Sequence, residues 1–252
     1  MKHLIANSPL EQFELVTLLP INLWGLNFSL TNSSLFLFIS ALSFLMIFNL
    51  SITQSTLVPT RWQLIAELSY GATASIVEDN IGQKGERYFP LVFIILMLVL
   101  SCNLLGIVPY SFTVTSHIAF TFALAFSVFI GINLIGIRVH GAHLLAIFLP
   151  KGAPAAIIPL LVIIEFISYI VKVFTLAIRL FANITSGHTL LKIIAGFGWT
   201  MLNIGGFVTI LSLVPLLVLL ILIGLELGIA ILQAYVFALL VCIYLNDVMD
   251  IH

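Results

Sequence analysis

Long apolar runs, broken by a few polar stretches, organise this chain. Residues 1–30 are mixed, contain Pro9 and Pro20, and read as an irregular or peripheral segment. The uncharged run over 35–52 predicts a first spanning helix, close to the ~20 residues that crossing a bilayer requires. Residues 53–88 are more polar. After Pro59, Trp62, Ile65, Leu68 and Ile76 alternate with Arg61, Glu67 and Glu78, which predicts an amphipathic helix over 59–82 lying at the membrane surface. Residues 89–110 and 117–137 predict a helical hairpin joined by the uncharged turn 111–116. From 153 to 250 the chain is apolar with sparse polar positions, and predicts a hairpin of two long helices.

These last helices are too long for upright spans. At about 1.5 Å per residue, 207–246 alone is ~60 Å of helix, against a hydrocarbon core of ~30 Å. The segment must tilt steeply, bend or break, and Pro215 offers a place to kink. Within 160–187 the polar residues Glu165, Ser168, Lys172, Thr175, Arg179 and Asn183 recur at spacings of three and four. On a helix they fall within roughly 80° of arc. The rest of that helix is apolar, so it is a narrow polar stripe on an apolar rod. Glu226, Gln233, Tyr244 and Asp247 fall within about 60° on the last helix. Folding the two helices back about Gly205-Gly206 sets Arg179 opposite Gln233, Glu165 opposite Asp247 and His188 opposite Glu226.

Composition sharpens the picture. Hydrophobic residues make up 62% of the 252 residues and charged residues 8%, and the mean hydropathy is +1.25. Soluble domains carry about a quarter charged residues, so this chain predicts an all-α polytopic membrane protein with about five embedded helices plus the surface helix. The net charge of −1 gives nucleic-acid binding no electrostatic basis. Cys102 and Cys242 lie in apolar runs and read as packed thiols. Arg61, Lys84, Arg87, Arg138 and Lys151 all fall in the loops 53–88 and 138–152, so those loops face the negative compartment and the N-terminus faces the other side.

Ionisable side chains inside a membrane are costly and mark ion paths. Carboxylates and imidazole exchange protons, whereas arginine effectively does not. A fixed guanidinium at Arg179 between Glu165 and Asp247 on one side and His188 and Glu226 on the other would interrupt a continuous proton wire. It would also attract a carboxylate from a partner. This predicts two half-paths that meet only through something moving past Arg179. Blander readings stand beside it: Asn183 and Gln233 as interhelical hydrogen-bond glue, Glu165 and Asp247 as helix-end charges, His117 as an anchor at a span end, and His140, His143, Asp250 and His252 as solvated residues.

The run TLAIRLFANITSGH (Thr175–His188) resembles the signature of subunit a of F-type ATP synthase. IGQKGERYFP (Ile81–Pro90), CNLLGIVPYSFTVTSH (Cys102–His117) and LELGIAILQAYVF with CIYLND (between Leu225 and Asp247) are similar to that family in the same order. SPLEQFE (Ser8–Glu14) resembles the N-terminus of mitochondrial members. The resemblance implies a stator proton-channel subunit of the Fo sector, not catalytic by itself and without a cofactor. Its two offset half-channels would serve the carboxylates of a rotor c-ring, with the last two helices steeply tilted against that ring. Arg179 would be the essential arginine and Asn183 and Gln233 its polar neighbours. His188 and Glu226 would belong to the half-channel from the intermembrane space, and Glu165 and Asp247 to the matrix half-channel. The implied partners are the c-ring, peripheral-stalk subunit b, other small Fo subunits and the lipid bilayer. The implied location is the mitochondrial inner membrane, or the plasma membrane of a related bacterium, with the C-terminus on the matrix side. The resemblance assigns no role to Lys172. The alternative from another class is a self-contained proton-coupled transporter, which would show internal repeats; no convincing repeat links the two halves.

Overall fold

The computed structural model describes residues 11–249, apart from 24–25, 28, 54–55, 57, 109–110 and 142–157. His143, Lys151, Asp250 and His252, discussed above, lie outside the described residues. The helices are α1 (Asn32–Thr53), α2 (Arg61–Ile81), α3 (Phe89–Ile107), α4 (Ile118–His140), α5 (Ile158–Ile204), α6 (Phe207–Leu211) and α7 (Leu213–Met249). A 3₁₀ segment, Gly82–Tyr88, links α2 to α3. Among the described residues, five helical stretches are long and apolar enough to cross a membrane: Asn32–Thr53, Arg61–Ile107, Ile118–His140, Ile158–Ile204 and Phe207–Met249. The protein is an all-α polytopic membrane protein by length and composition of its helices. At 47 residues, α5 has more than twice the ~20 that an upright span needs.

The N-terminal segment departs from the irregular reading. Strand β1 (Thr17–Leu19) pairs antiparallel with β4 (Leu30–Thr31), and β2 (Asn22–Leu23) with β3 (Leu26–Asn27). Ladders two or three residues long have no periodicity to read. Asn32 ties them to α1. Its backbone N–H donates to the Val16 carbonyl at 3.1 Å, its Oδ1 accepts from the Val16 N–H at 3.3 Å, and its Nδ2 donates to the Glu14 carbonyl at 3.1 Å.

The chain divides into two compact units. The first comprises the residues up to Ser43, Leu100–His117 and Leu180–Gln233. Here α5 turns at Gly205 and Gly206, whose φ values of 78° and 64° lie in the left-handed region that glycine tolerates. Pro215 follows the one-residue interruption at Ser212 that separates α6 from α7. It sits in the first turn of α7, where its missing N–H costs nothing. The α5 and α7 arms run antiparallel, joined by the side chains described below. Asn103 on α3 donates to the Ala230 carbonyl on α7 at 3.3 Å. Cys102 Sγ meets Ser40 Oγ of α1 at 3.2 Å.

The second unit comprises Phe44–Val99, Ile118–Arg179 and the residues from Ala234 onward. Ala234, Phe237, Ala238, Val241, Leu245 and Val248 form its buried stripe on α7. The three- and four-residue spacing is that of one helix face, and the small alanines let neighbouring helices approach. Tyr169 on α5 donates to Asn133 Oδ1 on α4 at 2.9 Å. On α2, Ala66, Thr73, Ile76, Val77 and Ile81 are buried against the rest of the unit, while Trp62, Ile65 and Leu68 are exposed.

The α2–α3 junction depends on glycine. Gly82 has φ 72° and ends α2. A Cβ on Gly85 would stand 2.8 Å from both Ile81 Cβ and Val77 Cγ1. Such overpacking costs about 1–3 kcal/mol, so Gly85→Ala is expected to lower both the amount of chain in membranes and the thermal midpoint of the complex that contains it. Gly71→Ala, with nothing within 4 Å of the new Cβ, is the control and is expected to leave both unchanged.

Candidate functional site

In the first unit the polar residues of α5 and α7 meet in pairs. His188 Nδ1 lies 3.3 Å from Glu226 Oε1, the partnership expected from folding about the glycine pair. Glu226 is 3% exposed, and apart from His188 neither carboxylate oxygen has a hydrogen-bond partner among the described residues. One turn deeper, Asn183 Nδ2 donates to Gln233 Oε1 at 3.0 Å. Gln233 therefore faces Asn183 on α5. Its own Nε2, buried, has no hydrogen-bond partner among the described residues.

Glycine makes room for the carboxylate. A Cβ on Gly187 would lie 3.0 Å from Glu226 Oε1, so the absence of a side chain there lets Glu226 approach α5. The pair opens onto a cavity of about 1160 Å³ lined by Phe13, Asn32, Thr113, His188, Lys192 and Glu226 among others. The Phe13 ring stands edge-on to the His188 imidazole at 6.4 Å between centroids. On the far side of the imidazole, Nε2 lies 3.3 Å from Thr113 Oγ1. His117 follows the 3₁₀ turn Val114–Ser116, stacks on Phe112 at 5.2 Å, and burial pushes its imidazole below the usual range. A pKa lowered from an already near-neutral value keeps it uncharged at neutral pH.

The second unit holds the other candidates. Lys172 Nζ lies 3.5 Å from Asp247 Oδ2 and 5.4 Å from the Tyr244 ring centroid. Asp247 thus meets Lys172, one of two pairs displaced from the expected register toward the C-terminal side of α5, the other being Gln233 with Asn183. Glu165 is half-buried. Arg179 is exposed. Its neighbours Phe174 and Ile178 are exposed apolar residues, and among the described residues no carboxylate forms an ion pair with it. A guanidinium on an apolar surface of a membrane protein, without a counter-charge of its own, is the most anomalous feature of the chain.

Chemically, the first unit presents a buried carboxylate and imidazole in contact, two groups able to take up and release protons, beside a cavity. The second presents a cation that never releases its proton. Sequence reasoning located His188, Glu226, Asn183 and Gln233 on facing helices. It did not find Thr113, Gly187 or the Lys172–Asp247 pair. For Gly187 the signal was its place next to His188 in the polar run.

Known proteins of this composition give the arrangement a context. A family model for the ATP synthase A chain matches residues 34–246. ATP synthase subunit a of Chondrus crispus is 65% identical over 250 residues, covering 99% of both chains. Those of Marchantia polymorpha and of Pelagibacter ubique are 46% and 45% identical, covering 98% of this chain and 100% of theirs. His188, Glu226, Asn183, Gln233 and Lys172 lie inside the matched region and Asp247 one residue beyond it, and the chain belongs to the ATP synthase subunit a family.

Proposed function

We propose that this chain is the stator proton channel of the Fo sector, coupling proton flow to rotation of a c-ring without catalysing chemistry itself. The observation that carries this reading is Arg179, exposed among apolar residues with no ion pair among the described residues. A charge in hydrocarbon costs several kcal/mol unless it is neutralised, so a carboxylate on another protein must supply the counter-charge. The rotor carboxylates of a c-ring suit that role. They would be ionised opposite the guanidinium and protonated elsewhere, and the offset of the two half-channels together with the proton gradient would set the direction of rotation.

Two half-channels then serve the ring. In the first unit, the cavity, His188 and Glu226 form the half-channel from the intermembrane space, with Asn183 and Gln233 leading toward the ring. In the second, Glu165 and Asp247 form the matrix half-channel, and Lys172 holds Asp247 in place at its side. Because Arg179 keeps its proton, no proton passes directly between the half-channels. The excess length of α5 and α7 fits helices lying obliquely along the ring. Subunit b and other small Fo subunits complete the stator. The location is the mitochondrial inner membrane, with the N-terminus toward the intermembrane space and the C-terminus toward the matrix. The basic loops containing Arg61, Lys84, Arg87 and Arg138 support that orientation. The driving force is about 2.3 kcal/mol per proton per 100 mV.

Two variants test this in vesicles carrying the assembled complex. Arg179→Ala is expected to abolish ATP-driven proton pumping and to raise passive proton leak, because the barrier between half-channels is gone. Unchanged pumping would overturn the reading. Glu226→Gln removes the proton-exchanging oxygen but keeps the shape, and is expected to slow pumping about tenfold or more without added leak. Pumping at the wild-type rate would remove Glu226 from the path.

A further inference from the structure

We infer that Thr113 is a positioning residue that holds His188 in one tautomer, so that a single proton shuttles between Glu226 and His188 Nδ1. The inference rests on the relay reading above and adds a residue to it. Thr113 precedes the 3₁₀ turn Val114–Ser116 and is 4% exposed. Its Oγ1 lies 3.3 Å from His188 Nε2 and donates to the Gly106 carbonyl at 3.4 Å. A hydroxyl has one proton and two lone pairs. With the proton committed to Gly106, the oxygen faces Nε2 as an acceptor, and Nε2 must carry hydrogen.

The consequence is a fixed division of labour on the ring. When His188 is neutral, Nε2–H points at Thr113 and the Nδ1 lone pair points at Glu226, which then bears the shared proton. When the proton leaves the Glu226 oxygen for Nδ1, the carboxylate becomes negative and the imidazolium positive. The Nε2–H···Oγ1 bond is the same in both states. The transfer and its reversal require no ring flip and no change in the Thr113 hydroxyl. The polar and charged groups facing this ring are few. Among the described residues that line the cavity beside it, Glu226 comes from α7, Lys192 from the next turn of α5, Thr113 and Ser111 from the segment after α3, Asn32 from the start of α1 and Gln12 from the N-terminal segment.

The site is built for this contact. A Cβ on Gly106 would stand 2.6 Å from Thr113 Cγ2 and 3.2 Å from its Oγ1, so glycine at 106 is what lets Thr113 sit against the α3 end. The loop is anchored to α5 a second time, where Thr185 Oγ1 donates to the Ser116 carbonyl at 3.4 Å. The Thr113 hydroxyl is therefore presented to the imidazole from a fixed support.

The test uses the assembled ATP synthase in vesicles, with ATP-driven proton pumping measured against pH for Thr113→Val, Thr113→Ala and Thr113→Ser. Valine keeps the shape and loses the hydroxyl; serine keeps the hydroxyl. Thr113→Val is expected to pump about fivefold to tenfold more slowly, the loss of one buried hydrogen bond, with a shifted pH profile. Thr113→Ser is expected to restore most of the rate and the wild-type profile. Thr113→Ala reports the same loss if the valine variant does not assemble. In a Glu226→Gln background, Thr113→Val is expected to add nothing. Wild-type rate and profile in Thr113→Val, or equal impairment in serine and valine variants, would overturn the positioning role. Should Glu226→Gln alone pump normally, the relay itself falls and the inference with it. An impaired Glu226→Gln beside an unaffected Thr113→Val sinks only the inference.

Discussion

Charge inside a bilayer persists only where something neutralises it, and the two units of this chain meet that constraint in opposite ways. Glu226 is buried with His188 as its partner at 3.3 Å, and the two can become neutral together by sharing one proton. Lys172 and Asp247 neutralise each other at 3.5 Å. Arg179 does neither. It cannot lose its proton, and among the described residues no carboxylate pairs with it. In the function proposed above, a carboxylate carried by a moving partner meets that requirement.

The pattern of glycines follows from the same constraint. Close contact between a carboxylate and an imidazole in an apolar environment demands that helices approach without intervening side chains. Gly187 leaves space for Glu226, and Gly106 leaves space for Thr113. Gly205 and Gly206 reverse the chain so that α5 and α7 return past one another. In the second unit the alanines of the α7 stripe serve the same end. Polar contacts that would be weak in water are worth making here because the alternative is an unsatisfied group without solvent.

Much of this was legible in the sequence because the background is so apolar. Against Leu, Ile, Val and Phe, the stripe from Glu165 to Asn183 stands out at helical spacing, and an antiparallel fold about Gly205-Gly206 pairs His188 with Glu226. Contacts made outside a helix were invisible. Thr113 lies 75 residues from His188 on a segment with no periodicity. The assumption of one even register failed, since Gln233 meets Asn183 and Asp247 meets Lys172. Pro215 read as a place to bend, and the helical stretch is interrupted at Ser212, three residues before it. The N-terminal ladders are too short to carry any pattern.

The central claim is that the counter-charge of Arg179 belongs to a rotor subunit. Ile178 is exposed beside it. The most direct measurement is disulfide formation in native membranes between Ile178→Cys and a cysteine placed one helical turn from the c-ring carboxylate. Bridging requires Cα atoms within roughly 7 Å. A crosslink that forms with a c subunit and stops ATP-driven rotation is the predicted result. No crosslink to any c subunit, with ready crosslinking of the same cysteine to a stator neighbour or none at all, would contradict it.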